Sequence, residues 1–177
     1  MKRCEVVGKI VGVRWVDVDK GHEIRSRLVA QEFASKDGDR EDLFASTPPL
    51  ASTRLIISDA ASSPRSSKGY KKLMVLDIKR AFLYGNIEEE LYIELPSEDP
   101  RSREGYVGKL VKAMYGTRAA PQVWQELAKS TMRRLGFRGS IVSPGIFFHP
   151  DRRLRLATHV EDFLCSGYQV DFDCFRK

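Results

Sequence analysis

Cysteine, histidine and tryptophan are scarce in this chain of 177 residues, which has three, three and two copies of them. Cys4, Cys165 and Cys174 cannot all pair within the chain, and none belongs to a CxxC or Cys/His pattern. We therefore expect a reducing compartment and no zinc module. No apolar run approaches the ~20 residues that span a bilayer, and Met1–Trp15 lacks a signal-peptide cleavage pattern. A soluble protein is expected.

What the chain does contain is an ordinary globular mixture with a positive charge balance. Hydrophobic residues make up 42% and charged residues 31%, a composition that differs from that of disordered chains. The 30 Lys and Arg residues outnumber the 24 Asp and Glu residues, giving a net charge of +6 and a pI near 9.3. This balance favours acidic partners such as nucleic acid, although many basic proteins bind none.

The first part of the chain predicts a β-hairpin followed by a helix. The segment Lys9–Asp19 is rich in β-branched residues, and turn residues then lead into a second strand-like segment, Ile24–Phe33. Ser52 can cap a helix that continues to Ala61, and the serine-rich segment Ser62–Gly69 ends it. That segment is the best candidate for a linker.

A second helix is predicted from Pro121 to Leu135, with Gly136 as its stop signal. Its apolar face is expected from the helical spacing of Trp124, Leu127, Thr131 and Leu135. A short strand is predicted at Leu91–Leu95, ahead of a charged loop. No internal repeat is present, so the sequence predicts a mixed α+β protein.

Acidic residues are predicted at the ends of strands. Leu73–Ile78 predicts a buried strand with Asp77 near its end, and two strand-like runs, Leu154–Val160 and Phe163–Tyr168, are joined at Glu161-Asp162. A tight turn there would present both carboxylates together. If the strands are neighbours, these acids can meet Asp77.

Carboxylates from separate strands are what a two-metal phosphoryl-transfer site requires. Two Mg²⁺ ions stabilise the attacking and leaving oxygens, and they also remove the mutual repulsion of the acids, which is about 4 kcal/mol at about 4 Å and an effective dielectric of 20. However, an acidic pair in a hairpin turn is most often only a solvated turn, and an acid such as Asp77 often serves solubility alone. Longer sequence patterns are needed to distinguish a metal site from solvated surface acids.

Several segments occur in a characteristic order and spacing over about residues 8–168. They are Ile10–Trp15, Arg25–Ala30, Leu76–Gly85, Glu88–Tyr92, Lys109–Gly116, Ala120-Pro121 with Trp124, Leu135–Phe137 and His159–Asp162. Each is weak alone, but together they are specific. Through them the chain resembles the reverse transcriptases of copia-type retrotransposons along nearly its whole length.

The resemblance implies a partial right-hand polymerase fold, with fingers and palm present and the thumb absent. It implies fingers at about residues 1–70 and 96–120, and palm at about residues 71–95 and 121–177. The implied reaction is templated nucleotidyl transfer on an RNA or DNA template-primer, with deoxynucleoside triphosphates as substrates and two Mg²⁺ ions as cofactors.

The resemblance also implies roles for particular residues. Asp77 corresponds to the first catalytic metal ligand, and Glu161 and Asp162 correspond to the paired acids. Phe82 matches the position that screens the sugar 2′ side of the nucleotide, although a core aromatic is the plain alternative. Arg25 and Arg27 fall where basic finger residues lie near the triphosphate, and guanidinium groups suit phosphate oxygens. Basic residues on a hairpin are otherwise most often merely solvated.

This sequence departs from the family pattern in three places. His159-Val-Glu161-Asp162 stands where the family has Tyr-Val-Asp-Asp, and Ala119 stands where the family usually has Gln near the nucleotide. The chain also stops at Lys177, in what corresponds to a palm helix. We therefore expect impaired or absent polymerase activity and a poor grip on primer and template.

Three functional hypotheses follow, and the sequence leaves catalytic capacity open. The first is a reverse transcriptase fragment of a retrotransposon polyprotein, with ribonuclease H and integrase regions as its polyprotein partners and no membrane partner. The second is a non-catalytic nucleic-acid-binding remnant of a decayed element. The third is an unstable translated relic. By resemblance the location is cytoplasmic, with the nucleus as the alternative.

Overall fold

The computed structural model of the protein describes residues 1–33 and 47–175. Within these ranges the chain forms two compact units, one from residues 1–33 and 82–124 and the other from residues 47–81 and 125–175. The described residues contain three sheets and three α-helices, in agreement with the predicted α+β class. The finer division into fingers and palm stays a prediction, and residues 34–46 of its first segment lie outside the described ranges.

The first unit contains the predicted hairpin. Strand β2, Val13–Asp19, pairs antiparallel with β3, Ile24–Ala30. At the turn, the backbone N–H of Gly21 donates to the Asp19 carboxylate at 2.7 Å, and Gly21 has a φ of +80°, which glycine adopts without steric cost. The hairpin prediction is confirmed, with the second strand ending three residues earlier than expected.

The residues before the hairpin belong to a different sheet. Strand β1, Lys9–Val11, pairs in parallel with β5, Leu91–Glu94, and β5 pairs antiparallel with β6, Val107–Lys109. The prediction of one continuous strand over Lys9–Asp19 is therefore wrong, because Gly12 divides it between two sheets. Composition shows that a segment favours strand structure, but it does not show which distant segment is its partner.

A small apolar cluster holds the first unit together. Its buried members come from β1, β3, β5 and the loop after β6: Val11, Ala30, Leu91, Ile93 and Met114. Burying a large aliphatic side chain contributes about 1.5–3 kcal/mol, so the burial of these side chains stabilises the first unit. The helix α2, Pro100–Arg103, is a short connection between β5 and β6.

The second unit is one antiparallel sheet with a helix packed on it. The helix α1 spans Leu50–Ser62, and it contacts β4, β9 and β10. In spatial order the strands are β4, Lys72–Asp77; β10, Asp162–Gly167; β9, Leu154–His159; β8, Ile146–His149; and β7, Arg138–Gly139. Leu154, Leu156 and Cys165 are completely buried in this unit.

Two predictions for the second unit need correction. Strand β4 is not a buried strand but the edge of the sheet, where Leu73 is 43% and Val75 70% exposed. An apolar run does not distinguish an edge strand from a central one. Helix α1 begins at Leu50 rather than after Ser52, because Pro49 takes the N-cap position and its carbonyl accepts the N–H of Ser52 at 2.9 Å.

The helix α3, Ala120–Arg134, ends as predicted at Gly136. Gly136 has a φ of +89°, its N–H donates to the carbonyl of Arg133, and the N–H of Phe137 donates to that of Met132, both at 3.0 Å. These bonds form a Schellman motif, which satisfies the last helical carbonyls. The buried face of α3 differs in part from the predicted one. Trp124 is buried as predicted, but the buried residues that follow it are Ala128 and Met132, whereas Leu127, Thr131 and Leu135 are only half-buried.

Asp59 on α1 ties three elements of the second unit together. Both carboxylate oxygens of Asp59 accept hydrogen bonds from Lys71 Nζ at 2.8 Å. The carboxylate also accepts a hydrogen bond from the Arg155 guanidinium on β9 at 2.7 Å and one from the Ser166 hydroxyl on β10 at 2.8 Å. Burial raises the pKa of Asp59, but the hydrogen bonds from Lys71 and Ser166 and the positive charges of Arg155 and Lys71 outweigh it. The pKa of this carboxyl therefore lies below its usual value.

We predict that Asp59→Asn lowers the free energy of unfolding by about 2–4 kcal/mol at pH 7, because it leaves the largely buried Lys71 ammonium without its counter-charge. The folded-state pKa of Asp59 lies below the unfolded value, so its contribution is full above the unfolded pKa and is lost as the pH falls through the folded pKa. Urea unfolding should show that the difference in the free energy of unfolding between variant and parent decreases below about pH 4.

Glu126→Gln is the matched control for this experiment. Glu126 forms an exposed i,i+3 ion pair with Lys129 at 2.6 Å, and such pairs contribute only about 0.2–0.5 kcal/mol. A loss at Asp59 no larger than the loss at Glu126, or one that does not change between pH 7 and pH 3, would contradict the role given to this carboxylate.

Candidate active site

The pairing of β4 with β10 places two aspartates directly opposite each other. Asp77, the last residue of β4, is in register with Asp162, the first residue of β10. The N–H of Ile78 donates to the carbonyl of Glu161 at 3.1 Å, so Asp77 and Asp162 form a non-hydrogen-bonded pair. Such pairs have their Cα atoms only about 4.5 Å apart, with both side chains on one face of the sheet. The predicted adjacency of Asp77 and the hairpin is confirmed.

The hairpin turn lies one residue earlier than predicted. His159 is in register with Asp162, so Val160 and Glu161 form the two-residue loop and Asp162 already belongs to β10. Side chains alternate between the faces of a strand, so this shift decides which acid shares a face with Asp77. The two acids therefore differ in setting: Asp162 is an exposed strand residue and Glu161 is a half-buried loop residue.

The loop is held in an unusual conformation. Val160 has a φ of +53°, in the left-handed region that β-branched residues rarely adopt. A residue in that region costs about 1–3 kcal/mol and persists only where the surrounding structure imposes it. The strand pairing on both sides of β10 imposes it here, because His159 and Asp162 are fixed by their register.

The donor atoms of this pair suit Mg²⁺. Magnesium prefers oxygen ligands and is usually held by one or two carboxylates together with waters and substrate phosphates. Asp77 and Asp162 provide such a pair, and both are exposed. Among residues 1–33 and 47–175, no three His, Cys, Asp or Glu side chains are grouped so that they could hold a metal ion. The two aspartates thus fit the cation, whereas a closed three-ligand site with Glu161 is not formed.

The predicted nucleotide-binding residues lie in the first unit, and two of them converge. Arg25 is exposed and Arg27 half-buried on β3, and Phe82 is buried in the 3-10 turn Ala81–Tyr84. The Arg27 guanidinium lies 5.6 Å from the centre of the Tyr115 ring, and the Phe82 ring lies 4.9 Å from that ring, tilted by 58°. Tyr115 was not predicted as a site residue.

A buried acid, also not predicted as a site residue, braces the loop next to Tyr115. The Glu32 side chain is only 1% exposed, and its carboxylate accepts from Lys9 Nζ at 2.8 Å and from the backbone N–H of Arg118 at 2.7 Å. Buried carboxylates need such partners to offset desolvation. The sequence signal for Glu32 is an acid directly after an apolar strand, which alone does not reveal its partners.

Main-chain bonds fix the same loop to β3. The N–H of Ala30 donates to the carbonyl of Tyr115 at 2.8 Å. Gly116 has a φ of +85°, and a Cβ there would stand 2.0 Å from the carbonyl oxygen of Ala30. Only glycine permits this approach. Ala119, further along, is buried, so a larger side chain there would have to displace its neighbours.

No helix in the described ranges is long and apolar enough to cross a membrane.

Comparison of the sequence with known proteins shows the family of this chain. The family model described as reverse transcriptase (RNA-dependent DNA polymerase) matches residues 6–173. The chain is 31% identical over 148 residues to the retrovirus-related Pol polyprotein from transposon TNT 1-94 of Nicotiana tabacum, covering 81% of this chain and 11% of that protein.

It is also 29% identical over 168 residues to the Pol polyprotein from transposon RE2 of Arabidopsis thaliana, covering 89% of this chain and 11% of that one. The chain thus spans about a tenth of the length of these relatives. It belongs to the reverse transcriptase family, in the group found in the Pol polyproteins of copia-type retrotransposons.

Proposed function

We propose that this chain is the polymerase region of a retrotransposon Pol polyprotein, built for templated nucleotidyl transfer onto an RNA- or DNA-bound primer. The observation that carries the proposal is the opposition of Asp77 and Asp162 at adjacent strand ends. Membership of the reverse transcriptase family supports it. The proposed substrates are deoxynucleoside triphosphates and a template-primer.

In this proposal Asp77 and Asp162 would hold Mg²⁺, with Glu161 as the additional acid. When bound, the metal ions neutralise charge on the attacking and leaving oxygens of the phosphoryl transfer. Arg25 and Arg27 would bind the oxygens of the triphosphate, since a guanidinium matches phosphate geometry. Phe82 would screen the sugar on its 2′ side.

The opposed aspartates imply a cost in the metal-free protein. Like charges directly opposite in an antiparallel pair are destabilising by about 0.2–1 kcal/mol, and a cation between them reverses this effect. An aspartate that served only solubility would not need to lie opposite a second aspartate at the closest cross-strand spacing. Sequence and register therefore favour a cation-binding role for Asp77 and Asp162.

We predict opposite effects of Asp162→Asn with and without metal. In metal-free buffer the variant should unfold at a slightly higher temperature, because the repulsion from Asp77 is gone. With 10 mM Mg²⁺ or 1 mM Mn²⁺, the parent should gain stability by ligand binding, and the variant should lose most of that gain. Thermal unfolding and Mn²⁺ titration by electron paramagnetic resonance measure the two effects.

Asp151→Asn is the matched control, because Asp151 is an exposed acid in the turn between β8 and β9 of the same sheet. It should change neither the Mn²⁺ affinity nor the stabilisation by Mg²⁺. Equal metal responses of the Asp151 and Asp162 variants would rule out the aspartate pair as the metal site.

A further prediction concerns Glu161. Its extra methylene moves the carboxylate by roughly 1.5 Å relative to Asp, whereas catalytic groups tolerate displacements of only about 0.5 Å. We expect little primer extension by the chain as it stands. Glu161→Asp alone should not restore full activity, because Ala119 still lacks the amide that the family usually has near the nucleotide, but its single-turnover rate should exceed that of the parent by about tenfold or more. Primer extension with Mg²⁺ on an RNA template measures it.

The companion variant Ala119→Gln needs a stability measurement beside its activity. Ala119 is buried, so the larger side chain is expected to cost about 1–3 kcal/mol of stability.

If the Glu161 parent extends primers as fast as Glu161→Asp, the extra methylene is tolerated and the geometric argument for impairment is wrong.

A second candidate function is nucleic-acid binding without catalysis. It is favoured by the lack of a three-ligand metal group among the described residues and by the hairpin β2–β3, which exposes Trp15 and Arg25. Phosphate contacts make such binding weaken steeply with salt, with a slope of about −0.9 per contact on a double-logarithmic plot. Salt-dependent binding of a labelled RNA–DNA duplex by a chain inactive with both Mg²⁺ and Mn²⁺ would select this candidate.

A further inference from the structure

Tyr115 stands at the centre of a three-residue stack in the first unit. The Arg27 guanidinium lies 5.6 Å from the centre of its ring, within the range of a cation–π contact. The Phe82 ring lies 4.9 Å from it at 58°, a favourable tilted arrangement for two aromatic rings. Arg27 and Phe82 thus each contact Tyr115, although they are far apart in sequence.

The three side chains of the stack differ in burial. Phe82 is buried, whereas Tyr115 and Arg27 are only half-buried, so one side of the stack faces solvent. A guanidinium on an aromatic face at the surface keeps its outward N–H groups available to a ligand. Arg25 lies two residues earlier on the same strand and is exposed, so Arg27 is the arginine held in the stack.

The backbone holds Tyr115 rigidly beside β3. Its carbonyl accepts the N–H of Ala30, three residues after Arg27, and the left-handed Gly116 permits that close approach. The buried Glu32 holds the following turn through the N–H of Arg118. Since the backbones of Tyr115 and of the strand that carries Arg27 are bonded to each other, the Tyr115 ring limits where the Arg27 guanidinium can lie.

We infer that Tyr115 is a positioning residue for nucleoside triphosphate binding, whose ring holds the Arg27 guanidinium and the Phe82 ring in fixed relation. This inference rests on the proposed function, in which Arg27 binds the triphosphate and Phe82 screens the sugar. Removal of the ring therefore weakens triphosphate binding through Arg27, and it also lowers the preference for deoxyribose over ribose through Phe82. Tyr115 acts through its two neighbours, and its aromatic ring is the part of the side chain that contacts both of them.

The test measures binding of dATP and ATP with Mg²⁺ by competition against a fluorescent dATP analogue. Tyr115→Phe keeps the ring and both of its contacts, so it should keep the parent's ratio of dATP to ATP affinity within twofold. Tyr115→Leu keeps apolar bulk but loses the aromatic face, and it should weaken dATP binding about fivefold or more and ATP binding less. The preference for dATP should fall accordingly, with Tyr115→Ala as the extreme case.

Two controls separate positioning from folding. Tyr70→Ala removes a ring that lies 5.9 Å from the Arg65 guanidinium in the second unit, and it should leave nucleotide binding unchanged. In a double-mutant cycle, the costs of Arg27→Ala and Tyr115→Leu in dATP affinity should be less than additive, because part of the effect of the ring passes through that arginine, whereas the loss of dATP preference should persist in the Arg27→Ala background, because it passes through Phe82. Thermal unfolding of each variant identifies any that fail to fold.

The possible results are distinct. Additive effects in the cycle, or a Leu variant with the parent's dATP preference, would overturn the role of Tyr115 while leaving nucleotide binding intact. If the parent chain binds neither nucleotide, the proposed function fails and this inference fails with it. A structural role alone would lower the unfolding temperature of the Leu variant and leave the ratio of dATP to ATP affinity unchanged.

Discussion

The antiparallel pairing of β10 with β4 is the constraint on which the candidate active site depends. Because side chains alternate along a strand, the register decides that Asp162 shares a face with Asp77 and that Glu161 is left to the loop. A slip of one residue would exchange the two acids. The chemistry proposed for this protein is therefore a property of strand register first and of residue identity second.

The same register is held from the far end of the strands. Asp59 on α1 binds Ser166 near the end of β10 and Arg155 near the start of β9, at the opposite end from Asp162 and His159. The Asp59 carboxylate is largely buried, so moving β9 along its axis would separate it from Arg155, and moving β10 would remove the hydrogen bond from Ser166. The two ends of these strands thus differ, because one carries the Asp59 network and the other carries the exposed Asp77 and Asp162.

Local sequence signals predicted the elements that depend on local physics. The hairpin β2–β3 follows from β-branched residues around a glycine turn, and the end of α3 follows from Gly136, which alone adopts the required φ cheaply. The placement of Asp77 beside the second hairpin was also predictable, although from a resemblance over the whole chain rather than from the strand itself. Family membership then confirmed that resemblance.

Features that depend on distant partners were not predictable. The edge position of β4 and the parallel pairing of β1 with β5 are decided by which strands lie next to them, and an apolar run carries no such information. The position of the turn at Val160 and Glu161 depends on pairing with both neighbours of β10. Tyr115 could not be predicted as a site residue, because its two ring contacts are with residues remote in sequence.

The conformation of Val160 has a consequence for redesign of this protein. At a φ of +53°, glycine or asparagine would be less strained than valine, and the side chain is already half exposed. A search for stabilising substitutions would therefore select this loop early. Such a change would also loosen the backbone that carries Glu161 and leads into Asp162. Thermodynamic improvement and conformational control thus compete at a single residue.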